Sequence, residues 1–356
     1  MGNTKVRESN IELLRNISMF MILIIHANFV SLPHIQYNEL TNDYLPSITR
    51  FFIESFGIVA VNVFVFISGW FGVNTNTKRV WSFIYLVLFF LGGGGILFVL
   101  LGKASFSVEW LLDVFQLSRK DWFIKSYFVL MIIAPILNNY CKTADEKTQR
   151  YVMLAFFLFE TIYGWVMGGS RFFVDGYGPL HFMGLYITAQ YVRNQLSGSD
   201  LPKWTKIFEM PKWADLAVFL LMATVNTALI TGGTLYFQKV APFHKMCYAY
   251  SNPLNIIGAL YLLLFFSKIK IPYNRIINWV GASSFAVYLF HGEGTIRNQF
   301  FTPQVQYIYD AYFGIGCITL IFLFLLFVYF VSVLIDQVRI FSWKKIWSLV
   351  EKKTQQ

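Results

Sequence analysis

The sequence predicts an all-α fold, a polytopic integral membrane bundle of about ten transmembrane helices with both termini cytoplasmic. Three observations predict it: an apolar composition, ten segments of bilayer length, and the way Lys and Arg are shared between the connections. The 356 residues are 56% hydrophobic, 19% aromatic and 13% charged. Soluble domains carry about 25% charged residues, so this chain lacks the charge to coat soluble domains of its length. Disordered, collagenous and disulfide-scaffold classes are excluded by 38 Phe, 20 Tyr and 10 Trp against 10 Pro. Cys141, Cys247 and Cys317 are too few and too scattered for a disulfide framework or a cysteine zinc site.

A span needs about 20 mostly apolar residues. The candidates are 11–31, 48–73, 79–101, 122–140, 149–168, 176–194, 212–233, 250–268, 276–300 and 312–339. The first reads as a retained helix, because Arg15 and His26 interrupt it and no small-x-small cleavage site follows. In the third, Gly92 to Gly95 either kink the helix or admit a close neighbour. The tenth is the plainest, apolar from Ile318 to Ile335 except for Thr319 and Ser332. The longest outer connections, 102–121 and 234–249, have room for short surface helices. No repeat, long linker or low-complexity tail divides the chain, so 1–356 reads as one integral domain.

Orientation follows from Lys and Arg alone. With the N-terminus cytoplasmic, the inner segments hold 19 of them and the outer segments 8, while Arg15 and Lys125 lie inside helices. The net charge of +10 is therefore spread over short inner connections. No compact basic and aromatic surface is visible, so no nucleic-acid partner is expected. The lipid bilayer is the expected partner, and the cell membrane the expected location.

Ionisable groups inside a bilayer are expensive and are functional candidates by default. They are Arg15 and His26 on the first span, Glu54 on the second, Lys125 on the fourth, Glu160 on the fifth, His181 on the sixth and His291 on the ninth. Arg15 and His26 are 11 residues apart, about 20° past three full turns, so they share one helix face with about 16 Å between them. A guanidinium near the inner surface can hold phosphate, or it can snorkel and set topology. An imidazole past mid-membrane can move a proton, or it can be a hydrogen-bonded packing residue. Glu160 and His291 come to similar middle depths. A polar cavity in the middle and outer bilayer would explain these groups together; separate interhelical hydrogen bonds are the alternative.

Five stretches carry a family resemblance. Arg15-Asn-Ile-Ser-Met-Phe-Met-Ile-Leu-Ile-Ile-His26 resembles the first-helix Arg-x10-His signature of the acyltransferase-3 family of membrane acyltransferases. Asn62-Val-Phe-Val-Phe-Ile-Ser68-Gly69-Trp-Phe is similar to its second-helix FFxxSGxL stretch, and Trp122 to Asn138 to its WFxxxYxxLYxxxPxLN helix. Gly184 to Arg193 resembles LYxxGxYIR, with Ala189 where Gly is common. Ser284-Phe-Ala-Val-Tyr288-Leu-Phe-His291, followed by Arg297, is similar to SFxVYLIHxxxxxR. The stretches fall in order over nearly the whole chain; Lys125 is an unusual charge within its motif.

The resemblance implies about ten transmembrane helices and transfer of an acyl group, often acetyl from acetyl-CoA, to a hydroxyl of a cell-surface polysaccharide or its lipid-linked precursor. Because the sequence ends about 17 residues after the tenth span, the hydrolase-like domain of some members is not expected. Such chemistry needs a base, an oxyanion stabiliser and a held thioester. His26 is the candidate general base, with a covalent acyl-histidine as the open alternative. Arg15 is the candidate for CoA phosphates. Glu160 would orient or recharge an imidazole, and His291 joins the catalytic set. Ser68, Lys125, Arg171 and His181 are candidates for acceptor binding or oxyanion contacts, although Ser68 beside Gly69 also fits helix packing. Acyl-CoA is expected as donor substrate, with no bound cofactor. No metal is expected either, since no ligand spacing such as His-Glu-x-x-His occurs. A transporter or flippase of a lipid-linked saccharide is the alternative class. An intramembrane hydrolase lacks its Gly-x-Ser-x-Gly elbow.

Overall fold

In the computed structural model, residues 7–117, 121–167, 173–197 and 203–354 are described, and among them there are helices and no strands. Six helical stretches are long and apolar enough to cross a membrane: Ser9–Ser31, Tyr44–Phe71, Thr77–Leu100, Trp122–Thr143, Lys212–Phe237 and Gly314–Lys352. The other four expected spans are helical but shorter, broken or more polar. Residues Glu146–Glu160 and a π turn at Thr161–Val166 include Arg150 and Glu160. Pro179–Leu196 includes His181 and Arg193, and Pro253–Ser267 has 15 residues. The expected span 276–300 breaks at Ser283 into Arg275–Ala282 and Ser284–Gly292.

We number the principal helices in chain order: α1 (Ser9–Ile25, then a π turn His26–Ser31), α2 (Tyr44–Gly57), α3 (Ala60–Phe71), α4 (Thr77–Val87), α5 (Gly94–Leu100), α6 (Trp122–Thr143), α7 (Glu146–Glu160), α8 (Pro179–Leu196), α9 (Lys212–Phe237), α10 (Pro253–Ser267), α11 (Arg275–Ala282), α12 (Ser284–Gly292) and α13 (Gly314–Thr354). Polar residues at the starts define several of them. The side chains of Asn76, Asp145, Asn252 and Asn274 accept the first free backbone N–H groups of α4, α7, α10 and α11. Short helices at Val108–Val114 and Ala241–Cys247 occupy the connections expected at 102–121 and 234–249.

The glycine run in the third span does both things open to it. A π turn covers Leu88–Gly93, and Gly95 sits so close to Trp110 that a Cβ there would come within 1.9 Å of the indole nitrogen.

Helix α1 is the hub. It packs against α2, α3, α10, α11, α12 and α13. Its first turn is tied to the ends of its neighbours, Asn10 Nδ2 donating to Phe266 O at 3.0 Å and the Asn274 N–H donating to Ser9 Oγ at 2.8 Å. Midway, Asn16 donates to Ile277 O and accepts from Ser284 and Tyr329, joining α11, α12 and α13. At its far end Arg50 of α2 grips the turn, donating to Asn28 Oδ1, Asn28 O and Pro33 O, while Asn28 donates to Glu54. By contrast, large apolar side chains such as Leu97, Leu100, Ile315 and Phe330 on α5 and α13 are exposed, as lipid-facing helices require.

Helices α3 and α8 approach where Gly69 removes a side chain: a Cβ there would lie 2.4 Å from Tyr186 O and 2.8 Å from its Cα. Only backbone movement would relieve that clash. Gly69→Ala is therefore expected to cost about 1–3 kcal/mol, read as a lower melting temperature of the detergent-solubilised protein. A variant melting with the wild type would show that this crossing tolerates a methyl group.

Candidate active site

The stripe that the 11-residue spacing predicts on α1 is present, and it leads to a small enclosed cavity of about 50 Å³. Met19, Ile22 and His26 contribute from α1, Phe64 from α3, Trp122 and Phe123 from α6, Tyr288 from α12, and Tyr250 from the segment before α10. His26 opens the π turn. A π turn inserts a residue into the helix and re-aims the side chains around it, which is why such turns gather at functional sites.

Against His26 lies His291, 265 residues later. The two ring nitrogens, His26 Nδ1 and His291 Nε2, are 2.7 Å apart, with the rings tilted by 48°. His291 Nδ1 is 2.6 Å from Val287 O. A carbonyl oxygen can only accept, so His291 Nδ1 carries a hydrogen, and in the neutral ring Nε2 accepts. His26 must then donate through Nδ1. Its Nε2 is left with a lone pair, the atom a base or nucleophile uses. Backbone geometry thus assigns both tautomers. Arg297, on the following π turn, stands within electrostatic reach of both rings.

A second network lies behind the cavity wall. His181 Nδ1 is 2.8 Å from Glu160 Oε1, and His181 Nε2 is 3.0 Å from Asn62 Oδ1; all three residues are fully buried. Asn62 Nδ2 donates to Tyr250 O at 2.9 Å, so Asn62 turns its carbonyl to His181, whose Nε2 must donate. A single hydrogen then bridges Glu160 Oε1 and His181 Nδ1. The unit joins α3, α7 and α8 to Tyr250, a residue of the cavity. The imidazole beside Glu160 is that of His181 rather than His26, and both nitrogens of His181 are taken.

The remaining candidates are spread out. Arg15 is a quarter exposed and bonds Glu12, 3.2 Å away; Glu12 is buried and also takes Arg7. Ser68 Oγ meets Tyr127 Oη at 3.1 Å and donates to Phe64 O. Lys125 lies one turn beyond Trp122 and within electrostatic reach of Asp121. Glu54 belongs to the Arg50 network. Arg171 lies outside the described residues.

Asn62, Tyr250, Tyr288 and Glu12 did not emerge as candidates from the sequence. Asn62 had a signal, an amide in an otherwise apolar span. The others look like ordinary interfacial residues until the fold brings them together.

The Glu160 network makes a clear distinction between variants. Glu160→Ala leaves His181 Nδ1 buried without a partner, at about 1–3 kcal/mol, whereas Glu160→Gln can donate an amide hydrogen to it. The expected order of melting temperatures is wild type, then Gln, then Ala. Equal melting of the Ala variant and the wild type would remove the network's structural role.

A profile of an acyltransferase domain matches residues 8–337, from the residue before α1 to within α13. No curated protein and no solved structure gives a significant match. The matched region holds the paired histidines, the buried triad and Arg15, in a bundle with six stretches able to cross a membrane. The chain belongs to the acyltransferase-3 family and is a membrane acyltransferase.

Proposed function

We propose that this protein transfers an acyl group, acetyl in the first instance, from acyl-CoA to a hydroxyl of a cell-surface polysaccharide or its lipid-linked precursor. The observation that carries the reading is the 2.7 Å His26–His291 bond, which leaves His26 Nε2 as an acceptor beside the cavity. His26 Nε2 takes the proton as the acceptor oxygen attacks the thioester carbonyl. The tetrahedral intermediate collapses with cleavage of the carbon–sulfur bond, and the imidazolium returns its proton to the departing thiolate. His291 positions the base by accepting from Nδ1, as a carbonyl-anchored orienting group does. Tyr288 and Arg297 are the groups at hand for the developing oxyanion. Arg15, on the same face as His26, meets an anionic part of the donor, and Ser68 and Lys125 serve as substrate contacts. An acyl-histidine on Nε2 uses the same geometry.

The reading places ten helices in the bilayer and both termini in the cytoplasm of a multi-pass cell-membrane protein. Glu8 lies 3.7 Å from Arg193, and Lys78 bonds Glu351 at 3.2 Å, so contacts near the two chain ends involve residues of inner connections. Cysteines introduced at 142–148 are expected to react only from the inside; labelling from the outside would overturn the topology.

His26→Ala is expected to lower turnover of labelled acetyl-CoA into envelope glycan by about 10²–10⁴-fold, with normal insertion. Retention of more than about a tenth of wild-type turnover would exclude His26 as the base. His291→Gln should keep more activity than His291→Ala, because its amide carbonyl still accepts from His26 Nδ1. Equal activities would remove the orienting role.

A further inference from the structure

We infer that a second cavity, at the end of the bundle where α1 begins, holds the phosphorylated nucleotide end of the acyl-CoA donor; this rests on the donor reading above. The cavity has a volume of about 610 Å³, against about 50 Å³ at His26. It lies between the ends of α3, α6 and α8. Asn138, Gln190, Asn194, Lys142 and Arg193 line it, with no carboxylate among the lining residues. Two cations and several amides without a lining acid describe a site for a polar anion.

Arg193 is held in place for such a ligand. Its guanidinium lies over the Trp70 and Phe71 rings, 5.7 and 5.2 Å from their centroids, and donates through Nη1 to Trp70 O. Its nearest carboxylate, Glu8, is 3.7 Å away, too far for a hydrogen bond. Lys142 makes no ion pair among the described residues. A planar guanidinium fixed in this way has donors left for bidentate contact with phosphate. Its plane and the Phe71 ring offer stacking surfaces to a base, and the Asn194 amide and Gln190 Oε1 are placed for a base edge, Gln190 Nε2 being bonded to Asn138 Oδ1. Arg15 differs, because its charge is already set against buried Glu12 at 3.2 Å. It also lies about 10 Å farther along α1 than Glu8, toward the thioester end.

The floor of the cavity depends on one backbone position. Gly72 follows α3 at φ 71°, and a Cβ there would meet Asn138 Oδ1 at 3.2 Å. A side chain there would strain the backbone at that φ and crowd the Asn138 amide.

The two cavities are spaced as a CoA molecule needs. Trp70 and Phe64 border one cavity each on α3, six residues or about 9 Å apart. Ser68 and Tyr127 stand between them, their hydroxyls 3.1 Å apart. An extended pantetheine arm spans such a gap, and these hydroxyls are placed to meet its amides. Nucleotide in the wet mouth and thioester at His26 follow from one ligand.

A phospholipid headgroup offers similar phosphate chemistry, so the test separates the two sources. CoA, adenosine 3′,5′-bisphosphate, pantetheine and short-chain phosphatidylglycerol are titrated against the purified full-length protein by calorimetry. Adenosine 3′,5′-bisphosphate is expected to bind and to compete with CoA, whereas pantetheine and the lipid are not. Arg193→Ala should weaken CoA binding at least about tenfold, as loss of a charge-assisted contact does. Lys142→Ala, at an exposed residue without structural contacts, should weaken it about threefold, and a circular-dichroism melt confirms that it is folded. Wild type that binds CoA while both variants keep its affinity overturns the site. Displacement by phosphatidylglycerol without adenosine 3′,5′-bisphosphate binding assigns the cavity to lipid and also overturns it. Wild type that binds no CoA defeats the donor reading itself.

Discussion

The hydrogen bond between two imidazoles in an apolar interior is the constraint on which the catalytic reading depends. Neither ring could be left there without a partner, because an unpaired buried polar group costs about 1–3 kcal/mol. Val287 O fixes His291, His291 fixes His26, and the chain of donors ends in one unpartnered lone pair. The break at Ser283 has a clear effect in this setting. It separates α11 from α12, so the His291 helix does not continue the direction that a single helix over 276–300 would impose. Asn16, the residue after Arg15 on the same helix that carries His26, anchors the break by accepting from Ser284.

Much of this was legible from local spacing. The Arg15–His26 register needs only the helical period, and Met19 and Ile22 continue the same face to the cavity. The segments expected from apolar runs are helical, although among the described residues six stretches have the length and apolarity to span. What local spacing could not show is pairing across the sequence. His26 meets His291 at a separation of 265 residues, and His181 meets Glu160 at 21. Depth alone made Glu160 a candidate partner for any imidazole, and the packing of α7 against α8 decided which one. The π turns at His26–Ser31 and Arg297–Phe301 have no sequence signal of comparable strength, yet they carry His26 and the guanidinium within electrostatic reach of both imidazoles.

The polar groups divide into two kinds with different physical tasks. Glu160, His181 and Asn62 satisfy one another completely except for one carboxylate oxygen, Glu160 Oε2. A network of that kind locks helices together and is poorly suited to exchanging partners with a substrate. Arg50, Asn28 and Glu54 do the same at the far end of α1. His26, Arg193 and Lys142 instead border open volume and retain capacity. Bonding capacity therefore separates structural from substrate-facing groups where burial depth alone does not.

The size and lining of the His26 cavity add a further consequence. A volume of about 50 Å³ lined by Phe64, Trp122, Phe123 and Tyr288 accommodates very little water. Water is the natural competitor of a sugar hydroxyl for a thioester, and a site that admits it loses the acyl group to hydrolysis. The same space is too small for an acyl group together with an acceptor. Substrate entry must therefore move the aromatic wall, and the rings best placed to move are half-buried Trp122 and Tyr288, which lie on different helices. The buried triad fixes the backbone of Tyr250, whose ring lies 5.3 Å from that of Trp122. Tyr288 also touches His291, with 6.1 Å between ring centroids, so Trp122 is the ring whose movement lets substrate displace water without disturbing the histidine pair.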